Sequence, residues 1–154
     1  MTETIMTQPI TKKNGSLVDL PTLQRRAGRA RAAYQWEKAL ELYDAALEVA
    51  DLPTAETCEL LEGRAESHLN LGDQRRARAD LEEMVRISEI LDDLPGQIKA
   101  LNKLSVIADN TGDLGSGMAW AESALALSNE AGVPSLKVDS LVSLAHMFES
   151  QDVL

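Results

Sequence analysis

The sequence predicts an all-α fold: an α-α superhelix, or solenoid, of about three and a half helix pairs, seven helices in all. Three observations predict it. Beyond residue 20 the apolar residues recur at helical spacing, with no alternating strand pattern longer than a few residues. Prolines and Gly-Asp joints punctuate the chain regularly. The same residue types return at steps of 38–40 positions.

Composition agrees. The chain is 44% hydrophobic and 26% charged, as a globular domain should be, but only 3% aromatic, which favours close-packed helices over a β-sandwich. Its 154 residues suffice for one domain with a core. Residues 1–18 are polar and end in KKNGS, which reads as a flexible tail without the basic start and apolar run of a signal peptide. The repeat domain is expected over 19–154.

The elements follow in order. Pro21, Pro53, Pro95 and Pro134 each stand near the start of a helical run, where a missing N–H costs no intrahelical bond. Between them lie NLGD at 70–73 and NTGD at 110–113. Gly72 and Gly112 can take the left-handed turn that ends a helix, and Asp73 and Asp113 can cap the next one. The corresponding Tyr34-Gln35 has neither device, so that joint is expected to be less sharply defined. Helices are predicted over 21–34, 36–51, 55–71, 74–92, 96–111, 114–131 and 135–150, grouped as repeats over 20–54, 55–94, 95–133 and a partial 134–154.

The period is read residue by residue. Leu23, Leu61, Leu101 and Leu141 align, as do the small residues Ala27, Ala65, Ser105 and Ala145 four positions on. In second helices Ala39, Ala77 and Gly117 align, then Ala46, Met84 and Ala124. Small residues mark close helix approach; each buried Leu contributes about 1.5–3 kcal/mol.

This pattern resembles the tetratricopeptide repeat, in a long-period form like that of bacterial multidomain signalling proteins. Repeat one carries it as Leu23, Ala27, Trp36, Ala39, Tyr43, Ala46 and Pro53; repeat two as Leu61, Ala65, Ala77, Leu81 and Met84; repeat three as Leu101, Leu104, Ser105, Gly117, Ala121 and Ala124. The fourth unit has only its first helix, with Leu141, Leu144, Ala145 and Phe148. Arg26 and Arg64 stand where the family usually has Leu, which calls for their stems to pack while the guanidinium reaches solvent or a carboxylate.

The resemblance implies a non-catalytic module that binds a peptide or helix segment on a concave surface lined by first helices. Carried over slot by slot, the candidate groove is Gln24, Arg31, Glu62, Glu66, Asn70, Asn102, Val106, Asp109, Val142, His146 and Glu149. Carboxylates outnumber cations there, so a protein partner of partly basic character is expected. The chaperone-binding subclass uses a Lys/Asn/Arg clamp for a terminal carboxylate. Lys99 and Lys103 fit two of its slots, but Gln24, Gly28 and Gly63 cannot complete it. The unpaired last helix gives two further expectations: that the chain is the N-terminal part of a larger signalling or regulatory protein, whose catalytic domain could lie beyond residue 154, or that this C-terminal face mediates a homodimer or intramolecular docking.

Chemistry is otherwise absent from the sequence. No phosphate loop, zinc-binding HExxH or nucleophile elbow occurs. His68 and His146 lie two repeats apart and make no metal site; no metal and no cofactor is expected. Asp92-Asp93 and Glu82-Glu83 read as solvated faces. The net charge of −10 argues against nucleic acid, despite basic clusters at Arg25–Arg31 and Arg75–Arg78. No apolar run spans a membrane, and the single cysteine, Cys58, fits a reducing cytoplasm.

Overall fold

A computed structural model describes residues 12, 13 and 16–152 of the chain. Seven α-helices fill it: α1 Leu20–Ala32, α2 Trp36–Val49, α3 Ala55–Asn70, α4 Gln74–Ile90, α5 Leu94–Thr111, α6 Leu114–Ala131 and α7 Pro134–Asp152. The tail expected over 1–18 lies mostly outside the described residues. Its described part is a two-rung antiparallel ribbon, β1 Lys12–Lys13 against β2 Ser16–Leu17.

Each helix packs on the next. The odd helices also touch each other, α1 on α3 and α5 on α7, which is the stacking of a solenoid. Within each complete pair a stripe of the first helix meets a stripe of the second that includes at least one alanine. Leu23, Ala27 and Ala30 meet Ala39, Tyr43 and Ala46. Cys58, Leu61 and Ala65 meet Ala77, Leu81 and Met84. Ile98 and Leu101 meet Ala124. The approach is tightest at two glycines. A Cβ at Gly63 would strike the Tyr43 ring, and one at Gly117 would sit 3.1 Å from the Ala108 Cβ and run into Met147.

Five of the six joints share one construction. Within two residues of the helix end the chain turns left-handed, with φ of 57° at Tyr34, 82° at Gly72, 53° at Asp92, 75° at Gly112 and 65° at Gly132; after α2 it is extended instead, at Ala50. At four of these the following N–H closes back on the carbonyl four residues before the left-handed position: Gln35 on Ala30 at 2.9 Å, Asp73 on His68 at 2.8 Å, Asp93 on Ser88 at 2.9 Å, Asp113 on Ala108 at 2.8 Å. Thus the Tyr34-Gln35 joint is as sharply closed as the others, contrary to the sequence expectation. A non-glycine residue accepts the left-handed turn because the same 6→1 bond holds it. Only half of the expected weakness is present: Gln35 makes no side-chain cap.

Asp73 and Asp113 cap as expected, Asp19 does the same for α1, and Asp93, read from the sequence as part of a solvated face, caps α5. Asp19, Asp73, Asp93 and Asp113 accept from the N–H of Thr22, Arg76, Gly96 and Ser116 at 2.8, 3.0, 3.1 and 3.3 Å. Pro21 and Pro95 lie in first turns, Pro134 opens α7, and Pro53 precedes Thr54, the cap of α3.

Candidate peptide-binding surface

The surface is built from the odd helices. Their i, i+4 rows that do not face the even helices line up along one side of the stack, and direct side-chain contacts join them. Arg31 on α1 donates to Glu66 on α3 at 3.2 Å. Lys99 and Lys103 on α5 reach the two carboxylate oxygens of Glu62 on α3 at 3.3 and 3.2 Å. Asn102 on α5 donates through Nδ2 to Ser140 Oγ on α7 at 3.3 Å.

These pairs change the charge reading. Glu62 and Glu66 were expected to attract a basic partner, but each already holds cations of this chain. The excess of carboxylates shrinks from four against one to four against three once Lys99 and Lys103 on the same helix as Asn102 are included. Burial pushes the Glu62 carboxyl up, yet Lys103 and Lys99 together outweigh it and hold the group below its ordinary range.

One cavity of about 250 Å³ opens on this side, between α3 and α5 with one wall from α7. Its walls are Ala65, Glu66, Leu69, Asn102, Lys103, Val106, Ile107, Asn110 and Ser143. The volume suits a side chain or two rather than a cofactor. Of the candidate residues, Glu66, Asn102 and Val106 line it. Gln24, Arg31, Glu62, Asn70, Asp109, Val142, His146 and Glu149 do not; Asn70 instead folds back to donate to the Glu66 carbonyl at 2.9 Å. Leu69, Ile107 and Ser143 were missed by slot counting. Leu69 and Ile107 are next to slots assigned to polar or core positions, and Ser143 replaces Val142 because α7 presents its small polar residues to α5.

Asn102 gives the cavity its polarity. Ser140 Oγ donates to the Leu136 carbonyl at 3.0 Å, so it can only accept from the Asn102 amide nitrogen. The Asn102 Oδ1 is thereby turned away from Ser140. It is buried and has no hydrogen-bond donor. A buried acceptor without a donor costs about 1–3 kcal/mol.

Elsewhere the polar side chains have structural roles. His68 is buried beside Asp80, 3.9 Å away. Cys58 is buried with its Sγ 3.6 Å from Ser88 Oγ, and burial pushes its thiol up, away from the reactive thiolate. Among the described residues no group of three or more His, Cys, Asp or Glu side chains is placed to hold a metal ion, and no helix is long and apolar enough to cross a membrane.

No described sequence family and no curated protein sequence matches the chain. Its fold does match solved structures. The Sgt2 TPR domain from Aspergillus fumigatus superposes with a TM-score of 0.62 at 20% identity, covering 86% of this chain and 82% of that one. A kinesin light chain-type protein from Podosopora anserina, described by its nearly identical TPR-like repeats, gives 0.70 at 17% identity over 86% of this chain and 67% of its own. The Arabidopsis OM64 TPR domain gives 0.61 at 19% identity over 82% of this chain and 95% of its own. Helix pairing, small-residue seams and these superpositions agree: the chain has the tetratricopeptide-repeat fold.

Proposed function

We propose that this chain is a non-catalytic protein-interaction module that receives an extended peptide along α1, α3 and α5. The observation that carries the reading is the cavity between α3 and α5, where half-exposed Val106 lies with Leu69 and Ile107 beside Asn102. An extended segment supplies an apolar side chain that this wall can receive. The groove's internal ion pairs remove the ground for a strongly basic partner; the peptide's apolar residue is the main determinant. The buried, unreactive Cys58 fits a cytoplasmic setting, and the repeat length fits a signalling or regulatory assembly.

Charge reversal at Glu62 would disrupt its pairs with Lys99 and Lys103, so the groove is better tested at Asn102 and Val106. The experiment is selection of peptides from a phage-displayed random library on the purified chain. Selected peptides should share one apolar residue and should lose at least tenfold in affinity to Val106→Glu and Asn102→Ala. The exposed Glu89→Lys on α4 should leave binding unchanged. Peptides indifferent to both groove substitutions would remove this surface from the account.

A further inference from the structure

Three arginines of α1 stand without a carboxylate in a chain that has carboxylates in excess, 25 Asp and Glu against 15 Lys and Arg. Arg31, Arg64, Arg76, Arg78 and Arg86 all take part in ion pairs. Arg25, Arg26 and Arg29 are exposed, and among the described residues none of them has a carboxylate at ion-pair distance. Arg25 reaches only the Thr22 hydroxyl, at 3.2 Å. The stretch 20–36 holds four arginines and no acid, and Asp19 before it is committed to the Thr22 N–H. Residues 1–40 carry seven Lys and Arg against three Asp and Glu; residues 41–154 carry eight against 22. Arg29, in the last turn, gains from the helix dipole, but Arg25 and Arg26 lie too far from that end to do so. Just beyond Arg29 the chain sets Tyr34 outward, 77% exposed and edge-on to Trp36. It does so at a left-handed turn where the other joints place glycine or aspartate.

We propose that the exposed arginine face of α1 docks a short acidic segment of a partner protein, one that carries an apolar residue beside its carboxylates. Guanidinium forks match carboxylates in shape as well as charge. Arg25, Arg26 and Arg29 span about 6 Å of helix axis, room for two or three carboxylates. Tyr34 adds a large apolar surface that needs no further ordering, because the backbone already holds it outward. A nucleic acid is a poorer occupant. Its strand would run on past α1 over a surface where carboxylates outnumber cations by 22 to eight. A short segment meets the arginines alone. The face is distinct from the cavity between α3 and α5. All three arginines lie more than a right angle round the helix from Arg31, which pairs with Glu66 toward that side.

The probe is a fluorescent heptapeptide with three glutamates on either side of one leucine, titrated into the full chain and followed by anisotropy. It should bind, and more weakly as salt is raised. Arg26→Glu and Arg29→Glu should each weaken it at least tenfold. Arg75→Glu changes the net charge equally, at an exposed arginine of α4 that is also outside the ion pairs, and should leave binding unchanged. Tyr34→Gly should weaken binding while the chain stays folded by circular dichroism, and replacing the leucine of the peptide by glycine should have a like effect. Val106→Glu in the cavity should leave the affinity unchanged, which separates this inference from the proposed peptide site. Absence of binding would overturn it, as would an equal loss in Arg29→Glu and Arg75→Glu, the mark of attraction to net charge alone. Tighter binding of an oligothymidine of the same charge, lost in Arg29→Glu, would replace the acidic segment with a nucleic acid. Self-association of the chain that Arg29→Glu abolishes would replace it with a second copy.

Discussion

Arg64 on α3 grips Asp80 on α4 with two hydrogen bonds, Nε to Oδ2 at 3.0 Å and Nη2 to Oδ1 at 2.7 Å. Its remaining nitrogen reaches Asp44 on α2 at 2.9 Å. One side chain thus ties three consecutive helices, in a slot where a repeat of this fold ordinarily places an aliphatic residue. Burial would lower the Arg64 pKa, but Asp80 and Asp44 outweigh it and keep the guanidinium charged. Arg64→Ala strands a buried carboxylate and should cost about 2–4 kcal/mol in urea unfolding. Arg64→Met with Asp80→Asn should recover most of that loss, because it removes the unpaired charge while keeping the packed stem.

Tyr34 occupies a left-handed turn that glycine fills at three later joints, Gly72, Gly112 and Gly132. For an L-residue that conformation costs about 1–2 kcal/mol. The Tyr34 ring meets the Trp36 ring edge-on at 5.8 Å, an exposed contact that recovers part of the cost. Tyr34→Gly should therefore stabilise the chain by about 0.5–1 kcal/mol, read as a higher urea midpoint at unchanged slope. Destabilisation would mean that the aromatic pair outweighs the backbone term.

Gly63 should tolerate no side chain. Any Cβ there enters the Tyr43 ring, with Cε1 only 2.7 Å away. Gly63→Ala should cost about 1–3 kcal/mol by overpacking despite alanine's better helix propensity. Adding Tyr43→Leu should return much of the loss, and thermal unfolding of the two variants is the check.

The Glu62 cluster predicts a pH dependence. Burial raises the carboxyl, Lys103 and Lys99 together lower it by more, and the folded-state value lies below the ordinary 4.5. A carboxyl depressed on folding contributes stability that is fully present above its unfolded value and is lost as pH falls through the folded one. Stability should drop on acidification below that ordinary value. In Lys99→Ala/Lys103→Ala only burial remains, so the drop assigned to Glu62 should disappear. Urea unfolding at a series of pH values from neutral to about 3 separates the two curves.

Local signals were legible in the sequence because each has one physical meaning. Proline in a first turn, glycine at a left-handed stop and aspartate at a cap each fix a backbone position, and the helix boundaries fall within two residues of those read from them. Joints at Tyr34 and Asp92 escaped because nothing in an ordinary side chain announces a left-handed φ; the closing hydrogen bond imposes it. The groove was legible as a set of slots and illegible as a charge distribution. Glu62 meets Lys99 and Lys103 across 37 and 41 positions, a pairing set by the stacking of α3 on α5 that no spacing rule within one helix discloses. Asn102 was placed in the groove, but its unpaired oxygen depends on Ser140 of the next repeat.

The central claim is that the surface between α3 and α5 receives an extended peptide. Chemical-shift mapping with a library-selected peptide tests it most directly. The account predicts shifts concentrated at Leu69, Asn102, Val106 and Ile107, with the Asn102 side-chain amide among the largest. Shifts confined to the even helices, or binding that Asn102→Ala and Val106→Glu leave intact, would contradict it.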